Sequence, residues 1–258
     1  MDGLDAVLSS NVERASADFA PRHSADPYFF GLLIAFLWVG LLFGFIPEMV
    51  DHVALNKPAY PWIVHLHGAV FVSWMLLLTT QFVLVRRGRL ATHRRVGPFA
   101  VYFAPAMLAV GAITVAIVDR SRFGTPQWDP QFLAIQLGDL INFAILLAFA
   151  LRKRSDPAAH KRLMLLAVVA LGNAGFSRWW GDGLERMFGD GFLATLAQLY
   201  LSDMLIVAAM CLFDLLTRRH VHRVVLAGGT FLLGVEVFSV YLFFNPTWAA
   251  LADKLLRP

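Results

Sequence analysis

The sequence predicts an all-α integral membrane protein, a bundle of about seven transmembrane helices. Three observations carry this expectation. Charged residues make up 16% of the 258-residue chain, hydrophobic residues 58%, and the mean hydropathy is +0.63. Soluble domains carry roughly 25% charged residues, so this chain has too little charge to coat a water-exposed surface. The apolar residues are gathered into seven long runs. The turns between those runs alternate between rich and poor in arginine.

The first run, Phe29–Pro47, follows a polar segment at residues 1–28. That segment has acids where a secretory signal has a basic start, and no continuous apolar core, so it reads as a cytoplasmic tail. The further runs are Pro61–Val85, Val96–Val118, Gln131–Leu151, Lys161–Trp180, Phe192–Leu216 and Val224–Phe244. At 1.5 Å per residue, each is long enough to cross a hydrocarbon core of roughly 30 Å. Helices are expected because lipid offers no partner to backbone N–H and C=O groups, and the runs lack the alternation of barrel strands. Pro105 is expected to kink the third span. The stretch Trp180–Phe192 is expected to hold a short helix lying on the surface. A short tail, residues 245–258, closes the chain. The transmembrane domain is thus residues 29–244, and it reads as one helix plus three hairpins. Each hairpin has a polar residue early in its first helix (His67, Asp139, Asp203), then a basic turn with a histidine beside a cation (His93, His160, His222).

Orientation follows from Lys and Arg counts. The second, fourth and sixth connections hold 13 of these residues, against 5 in the first, third and fifth. The excess places the even connections and the N-terminus in the cytoplasm and the C-terminus outside. Trp62, Trp128, Trp179, Trp180 and Trp248 then fall near the outer boundary, where amphipathic rings settle. The net charge of +4 and pI near 9.5 are explained by these turns. They point to anionic lipid headgroups and the bilayer as partners, and away from nucleic acid. The single cysteine, Cys211, excludes an internal disulfide and paired-cysteine metal motifs.

Ionisable residues inside a span are costly and mark function by default. Four lie well inside: His67, Asp139, Asp203 and Glu236. At 100° per residue, His67, Trp74 and Gln81 share one seam; Gln136, Asp139 and Asn142 share another; His222, Gly229 and Glu236 share a third. Imidazole with carboxylates suits a first-row transition metal, so these four are candidate metal ligands. Without a metal, the expected arrangement is a hydrogen-bonded network in which Asp139 or Asp203 meets His67 or Arg178. His93, His160 and His222 sit at the cytoplasmic boundary, where two of them are candidate axial ligands of a b-type haem. Their other reading is capping of helix starts or contact with lipid phosphate. No catalytic serine motif, P-loop or dinucleotide fingerprint occurs.

The stretch His65–Gly97 (HLHGAVFVSWMLLLTTQFVLVRRGRLATHRRVG) and the later DPAAHKRLMLLA resemble a family of bacterial multipass membrane proteins of no established activity. His67, Trp74, Gln81, His93, Arg94, Gly97, Asp139, His160, Lys161, Arg162 and Asp214 carry the resemblance. It implies a multi-pass protein of the bacterial inner (plasma) membrane and supplies no reaction. The His–Arg turns preceded by an intramembrane histidine also resemble haem-binding hairpins of membrane b-type cytochromes. Three functions stay open: a redox or metal/haem-dependent membrane protein, a proton-linked small-molecule transporter, and an accessory or assembly subunit that has a membrane-protein partner.

Overall fold

A computed structural model describes residues 19–258. It is all-α, with nine helices and no strand among the described residues. The helices are α1 (Asp26–Ala54), α2 (Trp62–Arg86), α3 (Leu90–Val96), α4 (Phe99–Ser121), α5 (Leu133–Arg152), α6 (Pro157–Phe188), α7 (Phe192–Arg218), α8 (Arg223–Phe243) and α9 (Pro246–Leu256). A 3-10 turn, Pro130–Phe132, leads into α5. All but α3 and α9 are long and apolar enough to cross a membrane. The chain is therefore a multi-pass helical bundle, as its composition predicts.

The differences from the expected elements have local causes. Helix α6 runs unbroken to Phe188, so only Gly189–Gly191 separate it from α7 and no surface helix forms there. Nothing in Trp180–Phe188 breaks a helix: it holds no proline, and Gly189 supplies the positive φ of 79° that stops it. His93 belongs to the separate helix α3, ended by Gly97–Pro98, instead of opening the next span. The C-terminal residues form α9, started by Asn245, whose side-chain oxygen accepts from the Thr247 and Trp248 N–H groups at 2.9 and 3.2 Å. The first helix begins at Asp26 and so takes the last three residues of the expected tail; residues 1–18 of that tail lie outside the described residues.

Helix α6 is the axle of the bundle and packs against α1, α5, α7 and α8. It starts cleanly because Pro157 presets the first turn and Asp156 Oδ1 accepts from the Ala158 and Ala159 N–H groups, both at 3.0 Å. Lipid is as apolar as leucine, so helix association relies on close packing and polar ties. Small residues supply the packing at α1 and α6. A Cβ on Gly44 would overlap the Gly175 carbonyl, and one on Gly40 would overlap the Phe176 ring. The α2–α4 pair is held more lightly, chiefly by α1 and α5. Trp38 Nε1 donates to Thr79 Oγ1 at 3.0 Å, and Trp74 meets Phe143 edge to face.

Polar ties fix which ends lie together. Asp26 at the start of α1 bridges Lys161 at the start of α6 and Arg218 at the end of α7. Glu48 late in α1 meets Arg178 late in α6 at 2.7 Å. Helices α1 and α6 are therefore parallel and α7 antiparallel to both. One end of the bundle gathers the arginine-rich turns; the other carries the turns poor in arginine, together with α9.

Candidate functional site

Three polar centres occupy the bundle. The first lies in the half nearer the arginine-poor end. Asp139 on α5 accepts from Asn173 Nδ2 on α6 at 2.9 Å and from the Tyr200 hydroxyl on α7 at 3.3 Å. One turn further along α7, Asp203 accepts from Ser202 Oγ at 2.7 Å. The Glu236 carboxyl, from α8, is in contact with that of Asp203. Asp203 and Glu236 are 0% and 1% exposed. Asp203 Oδ2 and both Glu236 oxygens have no N–H or O–H donor. Asn142, one turn along α5 from Asp139, donates to the Leu232 carbonyl at 3.2 Å.

The packing that creates this centre is tight. Ser239 Oγ sits where a Cβ on Gly138 would go, which draws α5 and α8 together beside Asp139. Val207 fills the space over Gly229, which does the same for α7 and α8. Two carboxylates repel each other and neither can donate. A proton on either group would relieve that repulsion and supply a donor to the other. Such a pair binds and releases protons as a unit.

Of the four expected metal ligands, Asp203 and Glu236 meet, Asp139 lies close enough for its charge to interact with theirs, and His67 does not join them. Among the described residues, no histidine, lysine or arginine pairs with Asp139, Asp203 or Glu236. The His67 ring lies tilted against Phe71 on its own helix, with centroids 4.3 Å apart, and its Nδ1 has no partner. Arg178 goes to Glu48 instead of either aspartate. No group of three or more His, Cys, Asp or Glu among the described residues is arranged to hold a metal ion. The physical reason is position: His67 is on α2, at the lightly packed edge, while the carboxyls are on α5, α7 and α8.

The second centre is an ion network at the arginine-rich end. Arg162 on α6 is 1% exposed and holds both oxygens of Asp214 on α7 through Nε and Nη2, with Nη1 donating to the Ala158 carbonyl at 2.9 Å. Asp214 also accepts from the His222 backbone N–H at 3.1 Å. Arg218 Nη2 donates to both oxygens of Asp26 at 2.8 Å, and its Nε donates to the Ala20 carbonyl at 3.0 Å. Phe19 is wedged between the Arg162 and Arg218 guanidinium groups at 4.8 and 4.9 Å. Each buried charge here has a partner, as burial demands.

The third centre holds two of the three boundary histidines. His160 Nδ1 lies 2.8 Å from the Ala150 carbonyl, which leaves Nε2 free. His93 is near enough to feel the charge of His160; burial and that neighbour push its imidazole below the usual histidine range. His93 Nδ1 and both side-chain polar atoms of Gln81 have no partner. His222 is engaged elsewhere: its Nδ1 accepts from the Val224 N–H at 3.2 Å and caps α8. Burial, with Arg162 beside it, pushes the His222 imidazole down to about 4. Its role here is the capping one.

Sequence reasoning missed Tyr200, which reads as one more apolar residue of α7 although its position three before Asp203 puts it on the same face. It also passed over Asp119, close to the end of its span. No family model, curated protein or solved structure matches the chain.

Proposed function

We propose that this protein is a proton-linked membrane transporter for small molecules, with Asp139, Asp203 and Glu236 as its proton-binding centre. The observation that carries this reading is the Asp203–Glu236 contact: two carboxyl groups, buried in an apolar bundle and away from any cation. Intramembrane carboxyls of this kind serve as protonatable sites in pumps and transporters. Asn173 and Tyr200 donate to Asp139 and Ser202 donates to Asp203, so these two carboxyls keep a donor when a proton leaves. The lightly packed α2–α4 pair is the element freest to move against the α1, α5–α8 core. The reading places the chain in a bacterial inner membrane with the arginine-rich end in the cytoplasm, by the excess of basic residues there.

The test is carbodiimide labelling followed by transport. Dicyclohexylcarbodiimide attacks protonated carboxyls in apolar surroundings, so it should modify Glu236 or Asp203 in the purified protein. Glu236→Gln and Asp203→Asn should each abolish that adduct. In proteoliposomes on a solid-supported membrane, small-molecule pulses should evoke currents that both variants lose. No adduct on either residue sinks the reading.

A second reading is favoured by His93 and His160. A ligating histidine commonly gives its other ring nitrogen to a backbone carbonyl, as His160 does to Ala150. A b-type haem or a first-row metal ion held by these imidazoles would make the protein a redox component. An absorbance spectrum and elemental analysis test it: a Soret band or about one equivalent of metal, lost in His160→Ala, supports it.

A further inference from the structure

A buried proton site works only if protons reach it, and α4 carries a residue suited to that task. Asp119, near the arginine-poor end of α4, is 5% exposed. Its Oδ1 stands 3.7 Å from the half-exposed Arg122 guanidinium, which faces the surface. Its Oδ2 has no donor at all. The carboxyl meets the side chain of Gln136 on α5, and Gln136 Oε1 also lacks a donor. Gln136 and Asp139 are three residues apart on one helix, hence neighbours on one face. The polar groups form a series: Asp119, Gln136, Asp139, then Asp203 and Glu236.

The neighbourhood of Asp119 is closed on the outside by α9. Ala252 and Leu256 of that helix pack with Val115 and Leu133, which lie one turn from Asp119 and Gln136 respectively. Two indole N–H groups pin it there: Trp128 Nε1 donates to Asp253 Oδ1 at 3.2 Å, and Trp248 Nε1 donates to the Gln131 carbonyl at 3.1 Å. Asp129, before the 3-10 turn, stands close enough to Asp119 for their charges to interact. The acids therefore run from the surface turn to the buried pair, beneath a helix that is tied down by polar contacts.

We infer that Asp119 is the port through which protons enter the buried carboxyl centre from the arginine-poor side, with Gln136 as the relay and α9 as the cover. This deepens the proposed function and rests on that reading of the centre. Asp119 takes a proton from water. Its O–H then supplies the donor that Gln136 Oε1 lacks. As Gln136 Oε1 takes that proton, a Gln136 Nε2 proton goes to the Asp139 carboxylate; the imidic acid so formed reverts to the amide, and Asp119 is left ionised beside Arg122, ready for the next. Asparagine at position 119 keeps the shape and cannot carry the proton.

The experiment is infrared spectroscopy of the full protein in lipid, following the protonated-carboxyl C=O band on transfer into deuterated buffer. The wild type should show a band that shifts as the acid proton exchanges. Glu236→Gln or Asp203→Asn should remove the band, which tests the centre itself. Asp119→Asn should keep the band and slow its exchange about tenfold, and Asp119→Glu should restore the rate. Trp248→Phe, which frees one tie of α9, should speed it. A structural disturbance at Asp119 would loosen the fold and hasten exchange, the opposite sign. Unchanged or faster exchange in Asp119→Asn overturns the port and leaves the centre standing. Absence of the band in the wild type overturns both.

Discussion

Replacing Asp214 by asparagine is the sharpest structural test. Arg162 would keep its full charge at 1% exposure and face a neutral amide in place of a carboxylate held through two of its nitrogens. Arg218 would be less affected, because Asp26 holds it independently. The His222 N–H would lose a charged acceptor as well. Removing one partner of a buried ion pair costs about 3–5 kcal/mol, since the remaining charge is stranded. At roughly 2–4 °C per kcal/mol for a chain of this size, the thermal midpoint in mild detergent should fall on the order of 10 °C. A scanning-fluorimetry melt measures this. The double variant Arg162→Met with Asp214→Leu should recover much of the loss, because an apolar pair of similar volume needs no desolvation. A midpoint for Asp214→Asn within about 2 °C of the wild type would refute the view that this pair is buried and mutually dependent.

Other expectations follow from single contacts. Gly44→Leu should cost at least about 1–3 kcal/mol by forcing α1 off the Gly175 carbonyl, whereas Gly183→Ala, with open space around it, should leave the melt unchanged. Asp156→Ala removes the acceptor for the Ala158 and Ala159 N–H groups and should cost about 1 kcal/mol, read in the same melt. His222 is neutral when folded down to about pH 4 but protonates near pH 6.5 when unfolded. The unfolded chain therefore binds the extra proton between those values, so stability should drop as pH falls through that window. His222→Asn keeps the helix cap and should flatten the drop; an equal slope in the variant refutes the assignment.

Much of this protein is legible in its sequence. The spans follow from length and hydropathy, because a bilayer demands runs of about 20 apolar residues whatever their neighbours. That Asp139, Asp203 and Glu236 stand out among the span residues follows from the cost of burying an acid in lipid. The helical phase that put Asp139 beside Asn142 on α5 needed only the 3.6-residue turn. The capping histidine His222 was among the readings that its place at a helix start allowed.

Partnership is what only the tertiary structure decided. His67 and Asp139 look alike as intramembrane polar residues, yet α2 sits at the edge and α5 against α6, so the histidine is left out. Arg178 had two candidate aspartates and found Glu48, because α1 and α6 run parallel at the Gly40, Gly44 and Gly175 crossing. Asp119 meets Gln136 only because α4 lies beside α5, and α9 packs on Val115 and Leu133 nearby. Sequence fixes each residue's depth and the face of the helix it occupies, since both are properties of one helix and one bilayer. Which faces meet is settled by glycine crossings and buried ion pairs between helices far apart in the chain, and those act only once the bundle has assembled.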